Sequence, residues 1–164
     1  METVFMVLRW VHVSAASAWF GEVVVVNFIL IPAVAQLQGE MRSKFVITLF
    51  PRVFNLASIL SLTAVVTGLI LLYTKVDGDF SLLLRSFSGK ALLFGAVMGT
   101  LLTLFHFFME NKLAAKIGIV KKNIEGSAEE LEDVHAKLKI VPRLGMVVIT
   151  SIFLSMMIAS HGFF

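Results

Sequence analysis

Apolar residues along the chain form four long runs separated by more polar stretches. The runs cover about residues 11–35, 53–74, 91–109 and 140–160. Each has the length of about 20 residues that a helix needs to cross the hydrocarbon core of a bilayer. The pattern therefore predicts an all-α integral membrane protein. We expect a four-helix bundle in which residues 1–164 form a single membrane domain.

The polar connections predict how the four spans are joined. Residues 36–52 mix basic and apolar side chains, which is typical of a helix lying at the membrane interface. Pro51 near the end of this stretch favours the start of a new helix, because proline suits the first helical turn. Residues 110–139 are the longest polar region and contain a capping-box sequence. We expect the third and fourth spans to continue out of the membrane as a cytoplasmic helical hairpin.

The distribution of basic residues predicts the orientation in the membrane. The first and third connections, counted through Arg143, hold 3 and 7 of the 14 Lys and Arg residues, whereas the N-terminus and the second connection hold 1 and 3. Cytoplasmic loops carry an excess of Lys and Arg. Loops 36–52 and 110–139 are therefore expected to be cytoplasmic, with both termini outside.

The composition agrees with this class and excludes others. Apolar residues make up 58% of the chain, charged residues 15%, and the mean hydropathy is +0.92. A soluble domain of this size could not bury so much apolar surface, and the basic residues lie between the apolar runs rather than on a nucleic-acid-binding face. Cysteine is absent, which excludes disulfides, thiolate metal sites and iron–sulfur clusters.

The first span carries ionisable residues on one helical face. His12, Trp19 and Glu22 lie along a single stripe at 100° per residue, whereas Val13, Phe20 and Ile31 fall on the other side and are expected to face lipid. Glu22 lies about 15 Å beyond His12 along the axis, near the middle of the bilayer. Ionisable residues at this depth are costly to bury and are functional candidates by default.

The third and fourth spans add further polar positions. His106 and Glu110 share a stripe with Gly95, Gly99 and Thr103 on the third span, and the two glycines are spaced for close helix packing. The fourth span ends with Met157 and His161, which the assigned topology places at the same membrane face as His12. His106 falls near the opposite face.

The first span resembles that of a superfamily of small helical membrane proteins. The shared pattern is His12-x6-Trp19-x-Gly21, followed by an apolar stretch that ends at Pro32. The superfamily includes the CopD copper-resistance membrane domain, the HemJ protoporphyrinogen oxidases and the membrane domain of PuuD-type urate oxidases. A lysine at the start and a histidine toward the end of the third span, Lys90 and His106 here, also resemble the HemJ-like pattern.

This resemblance implies a haem b protein with a redox role, in which His12 binds the haem and Lys90 is functionally important. A second hypothesis is copper binding or transport at the outer face, since imidazole and thioether groups suit copper. A third is an accessory subunit of a larger membrane metalloenzyme, or a homo-oligomer, with no chemistry of its own. The candidate cofactor-binding residues are His12, Trp19, Glu22, Lys90 and His106, and the candidate copper ligands are His12, Met157 and His161.

Overall fold

The fold is all-α, as the sequence predicts. The computed structural model describes the backbone of residues 2–122 and 128–161, and the side chains of residues 2–113, 115 and 140–160. These described residues are helical apart from short connections at 37–38, 77–80 and 86. The helices are α1 (Glu2–Val25), which continues through a π-helical segment (Val26–Leu30) into α2 (Ile31–Gln36), then α3 (Gly39–Val76), α4 (Ser81–Arg85), α5 (Phe87–Lys122) and α6 (Ala128–His161).

Four of the described helical stretches are long and apolar enough to cross a membrane. They are Glu2–Gln36, Gly39–Val76, Phe87–Leu113 and Ile140–Ser160. All four predicted spans fall within them, and many of their large apolar side chains are exposed on the outer surface of the bundle, where lipid would cover them. The protein is therefore membrane-integral. The predicted hairpin falls on α5 and α6 beyond these stretches, and its turn at residues 123–127 lies outside the described residues.

Each long helix packs against the helices before and after it in the chain, and α6 closes the ring against α1. The first span and α3 are antiparallel, since His12 of α1 bonds the carbonyl of Ala64 while Val34 of α2 lies in one core cluster with Val46. Short connections between sequential helices produce this antiparallel arrangement. The order of the helices brings α1, α3, α5 and α6 around one interior.

A π-helical segment interrupts the first span at Val26–Leu30, and the N–H of Ile31 bonds the carbonyl of Val26, five residues back. Pro32 follows directly, and its ring would clash with the carbonyl of the residue four positions earlier in a regular α-helix. The wider turn relieves this clash and rotates the residues after it. Ile31, predicted to face lipid, is instead buried. Phe20 was also predicted to face lipid, but α6 packs on that side, and the ring centroids of Phe20 and Phe153 are stacked 4.9 Å apart.

The second span begins earlier than its apolar pattern suggests. α3 starts at Gly39, and Pro51 lies inside the helix. The prediction of a new helix start at Pro51 is therefore wrong. The preceding turn stays helical because Val46 and Phe50 are buried together with Val34 and Leu113. This packing offsets the hydrogen bond that proline cannot make.

Candidate functional site

His12 lies half-buried on the face of α1 that meets α3. Its Nδ1 atom is 2.8 Å from the carbonyl oxygen of Ala64 and 3.3 Å from Oγ1 of Thr67. A carbonyl oxygen only accepts hydrogen bonds, so Nδ1 carries the proton and donates it. In the neutral ring the lone pair is then on Nε2, the nitrogen that remains able to bind a metal ion.

Small residues on α3 allow the imidazole to approach this closely. Gly68 lies under the ring, and a Cβ atom added there would be only 2.7 Å from Cε1 of His12. α3 also buries a run of small and hydroxyl residues, Ser58, Ser61, Ala64 and Thr67, which follow one another at steps of three residues. Each step turns by about 300°, so the run winds around α3 from the side that contacts His106 at Ser58 to the side that contacts His12 at Thr67. Sequence reasoning assigned no functional role to these residues, although the run was visible in the sequence.

A second polar cluster joins α3 to α5. Nε2 of His106 is 3.0 Å from Oγ of Ser58 and 3.3 Å from the carbonyl oxygen of Phe54. The Ser58 hydroxyl in turn donates a hydrogen bond to Oε2 of Glu110. The His106 and Glu110 side chains are one helical turn apart, with Nε2 and Oε2 separated by 3.7 Å. The hydroxyl of Ser58 therefore links the imidazole to the carboxylate.

This second cluster opens onto a cavity of about 100 Å³ between α1, α3, α5 and α6. Glu22 of α1 lines the cavity together with His106 and Glu110 of α5. The remaining walls are apolar or aromatic, and they include Trp19 and Phe54. Glu22, predicted to face the interior from its place on the α1 stripe, does line this cavity.

The two clusters are separate along the membrane normal. Thr67 contacts His12 and Ser58 contacts His106, and these two α3 residues are nine positions apart, or about 14 Å along the helix. One metal ion could not bind both imidazoles at this separation, because a metal–nitrogen bond is only about 2 Å long. The structure thus brings His106 and Glu22 to one site and His12 to another.

The other two candidate cofactor residues are Trp19 and Lys90. Trp19 is 5% exposed and packs against Ala57 and Ile149 in the core, so that it forms a wall of the cavity. Lys90 is exposed near the start of α5, where its backbone N–H bonds the carbonyl of Ser86. Neither position brings the side chain into contact with His12 in the described residues.

The candidate copper ligands lie at one end of the bundle. Phe20 of α1 stacks on Phe153 of α6, so these two residues lie at the same level of the bundle. His12 precedes Phe20 by eight residues and His161 follows Phe153 by eight residues, in both cases toward the same end of the bundle. Met157 is 46% exposed, and the side chain of His161 lies outside the described residues. Within the part of the chain that is described, no group of three or more His, Asp or Glu side chains could hold a metal ion.

Asn27 was not singled out as functional, but it connects two helices. Its side-chain Nδ2 donates to the carbonyl of Val23 at 2.8 Å and to the carbonyl of Pro142 on α6 at 3.0 Å. Its Oδ1 atom is buried with no hydrogen-bond partner in the described residues. Asn27 lies in the π-helical segment, so its hydrogen bond to Pro142 joins this segment to α6.

Comparison with protein-family models, with curated proteins and with solved structures finds no match to this chain.

Proposed function

We propose that this protein is a membrane-embedded redox protein that binds haem b, with His12 as an axial ligand. The observation that carries the proposal is the hydrogen bond from Nδ1 of His12 to the carbonyl of Ala64. Metal-binding histidines nearly always donate their second ring N–H to a carbonyl or carboxylate, which fixes the tautomer and makes the ligand more basic. The resemblance of the first span to haem-binding membrane proteins supports the same residue.

The surroundings of His12 fit an axial ligand. Thr67 and Gly68 fix the plane of the imidazole from the α3 side. On α5, Gly99 is buried, yet a Cβ atom added there would meet nothing within 4 Å, which indicates room inside the bundle. The cavity beside Glu22 is too small for a porphyrin, so haem would be held at the level of His12. When bound, haem supplies one-electron transfer, and His12 supplies its anchor and tunes its potential.

The number of axial ligands is a separate part of the proposal. Among the described side chains, His12 is the histidine at this level, and His106 lies about 14 Å away along α3. His161 ends α6 on the level of His12. We propose that haem has either His12 alone or His12 and His161 as axial ligands. A reduced spectrum with sharp α and β bands that His161→Ala abolishes would assign the second ligand to His161.

The test is an absorption spectrum of the detergent-purified protein, oxidised and then reduced with dithionite. We expect a Soret band in the unaltered protein and in His106→Ala, and its loss in His12→Ala. His106→Ala is the matched control because it removes an imidazole from the other cluster. A full haem load in His12→Ala would overturn the proposal.

The same preparation distinguishes the other functions. A colourless protein that contains copper by elemental analysis, and loses it in His12→Ala, would replace the haem proposal by copper binding through His12, Met157 and His161. A colourless, metal-free protein that co-purifies with other chains would indicate an accessory subunit. Either result contradicts the haem proposal.

A further inference from the structure

Three ionisable groups line the cavity beside the second cluster, away from His12. Glu22 projects from α1 into the cavity, and His106 and Glu110 line it from α5. Among the described residues, the other helices around the cavity add no titratable lining group, since α3 contributes Val53, Phe54 and Ala57, and α6 contributes Val141, Pro142 and Gly145. Arg52 and Arg143 are exposed at this end of the bundle. Of the cavity-lining side chains that can exchange a proton, these three are therefore the full set.

Two unpartnered polar atoms belong to residues next to the cavity-lining Leu102 and Val26 in the sequence. Thr103, one turn before His106 on α5, is 5% exposed, and its Oγ1 atom has no hydrogen-bond partner in the described residues. Oδ1 of Asn27, one residue beyond the cavity-lining Val26, is in the same situation. Buried polar atoms in native proteins are nearly always hydrogen-bonded, to water where no protein group reaches them. A cavity of about 100 Å³ has room for several waters, because one needs about 10–15 Å³.

We propose that this cavity is a hydrated proton-exchange site, in which His106, Ser58 and Glu110 pass protons through water to and from Glu22. The hydrogen bonds have the order that such transfer requires. Nε2–H of His106 donates to the Ser58 hydroxyl, and that hydroxyl donates to the Glu110 carboxylate. The imidazole takes up a proton at Nδ1 before it releases the proton at Nε2, so each transfer breaks one N–H or O–H bond and forms one O–H or N–H bond, and no electron moves. Ionisable groups facing a bundle interior commonly form proton relays.

The site differs from the proposed haem ligand and does not depend on it. None of its groups contacts His12, and their level is about 14 Å away along α3. A failure of haem binding would therefore leave this proposal intact, and the reverse also holds. Infrared spectroscopy keeps the two tests apart because it detects carboxyl groups whether or not a haem is present.

The first experiment measures infrared difference spectra between two pH values for the protein in phosphatidylcholine vesicles. We expect a C=O band from a protonated carboxyl group that Glu22→Gln abolishes and Glu40→Gln, at an exposed position on α3, retains. Glu22→Asp keeps a carboxyl group and is expected to shift the band rather than remove it. A spectrum that is the same in the unaltered protein, Glu22→Gln and Glu22→Asp would overturn the proposal.

The second experiment times the appearance of this band after a pH jump. Ser58→Ala removes the hydroxyl between His106 and Glu110, so we expect the rate to fall by on the order of a hundredfold, the effect of losing a positioned acid–base group. Ser61→Ala is the matched control, because the Ser61 hydroxyl bonds only the Ser58 carbonyl of its own helix. Equal rates in Ser58→Ala and Ser61→Ala would exclude the relay.

Discussion

At the scale of single residues, Gly68 determines whether His12 can hold its position. Replacement by Ala places a Cβ atom 2.7 Å from Cε1 of His12. Since this is shorter than a van der Waals contact, the imidazole must move away from α3 and lose its bond to the Ala64 carbonyl. Overpacking of this kind costs about 1–3 kcal/mol. We expect Gly68→Ala to lower the free energy of unfolding by this amount and to weaken cofactor binding, as measured by unfolding in mixed detergent and by the Soret absorbance.

Gly99→Ala is the matched control for Gly68→Ala. Gly99 also lies inside a long helix, but a Cβ atom added there meets no atom within 4 Å. Alanine has the higher helix propensity by about 1 kcal/mol, so Gly99→Ala should be neutral or stabilising. Equal losses of stability in the two variants would show that the contact of Gly68 with His12 is unimportant. The sequence predicts Gly99, together with Gly95, to be a site of close helix packing, but it does not single out Gly68, because the side chain that lies against a glycine is set by tertiary structure.

At the scale of helices, a hydrogen bond from Asn27 joins the π-helical segment of the first span to α6. Asn27→Leu removes the hydrogen bond to the Pro142 carbonyl and leaves that carbonyl without its side-chain donor. Interhelical hydrogen bonds in membrane proteins contribute about 1 kcal/mol. We expect a loss of about this size in the free energy of unfolding, measured by titration with a denaturing detergent. Thr150→Val should have a smaller effect, because the Thr150 hydroxyl bonds the Met146 carbonyl within α6. Equal losses of stability in the two variants would contradict a stabilising hydrogen bond between Asn27 and α6.

The same helices show how far periodicity predicts structure. The α1 stripe placed Trp19 and Glu22 toward the interior, and both line the cavity. A regular period of 3.6 residues failed at Ile31, because the π-helical turn before Pro32 changes the angle of all residues after it. The preference of proline for the first helical turn also misled at Pro51, where burial of neighbouring side chains keeps α3 continuous. Local patterns describe one helix at a time, so the pairing of His106 with Ser58, and of His12 with Ala64, requires the packed bundle.

At the scale of the whole molecule, the charge distribution predicts the orientation in the membrane. The predicted cytoplasmic loop 36–52 carries Lys44, which is exposed and paired with Glu40 at 2.8 Å. The opposite connection carries Asp79, which is exposed after the left-handed turn at Asp77 and Gly78. The chain contains no cysteine, so Lys44→Cys and Asp79→Cys each give a protein with a single reactive thiol. The Lys44–Glu40 pair is exposed to solvent and therefore weak, so its loss should leave the fold intact.

We expect a membrane-impermeant maleimide to label Asp79→Cys in intact cells, and Lys44→Cys only after the membrane is permeabilised. The physical reason is the excess of Lys and Arg in the first and third connections, which favours retention of those loops in the cytoplasm. The reverse labelling pattern would invert the orientation and place His12 near the cytoplasm, and the proton-exchange cavity would then open toward the outer face. Labelling of both thiols in intact cells would contradict a membrane-spanning second helix, because Gly39–Val76 separates the two positions only if it crosses the bilayer.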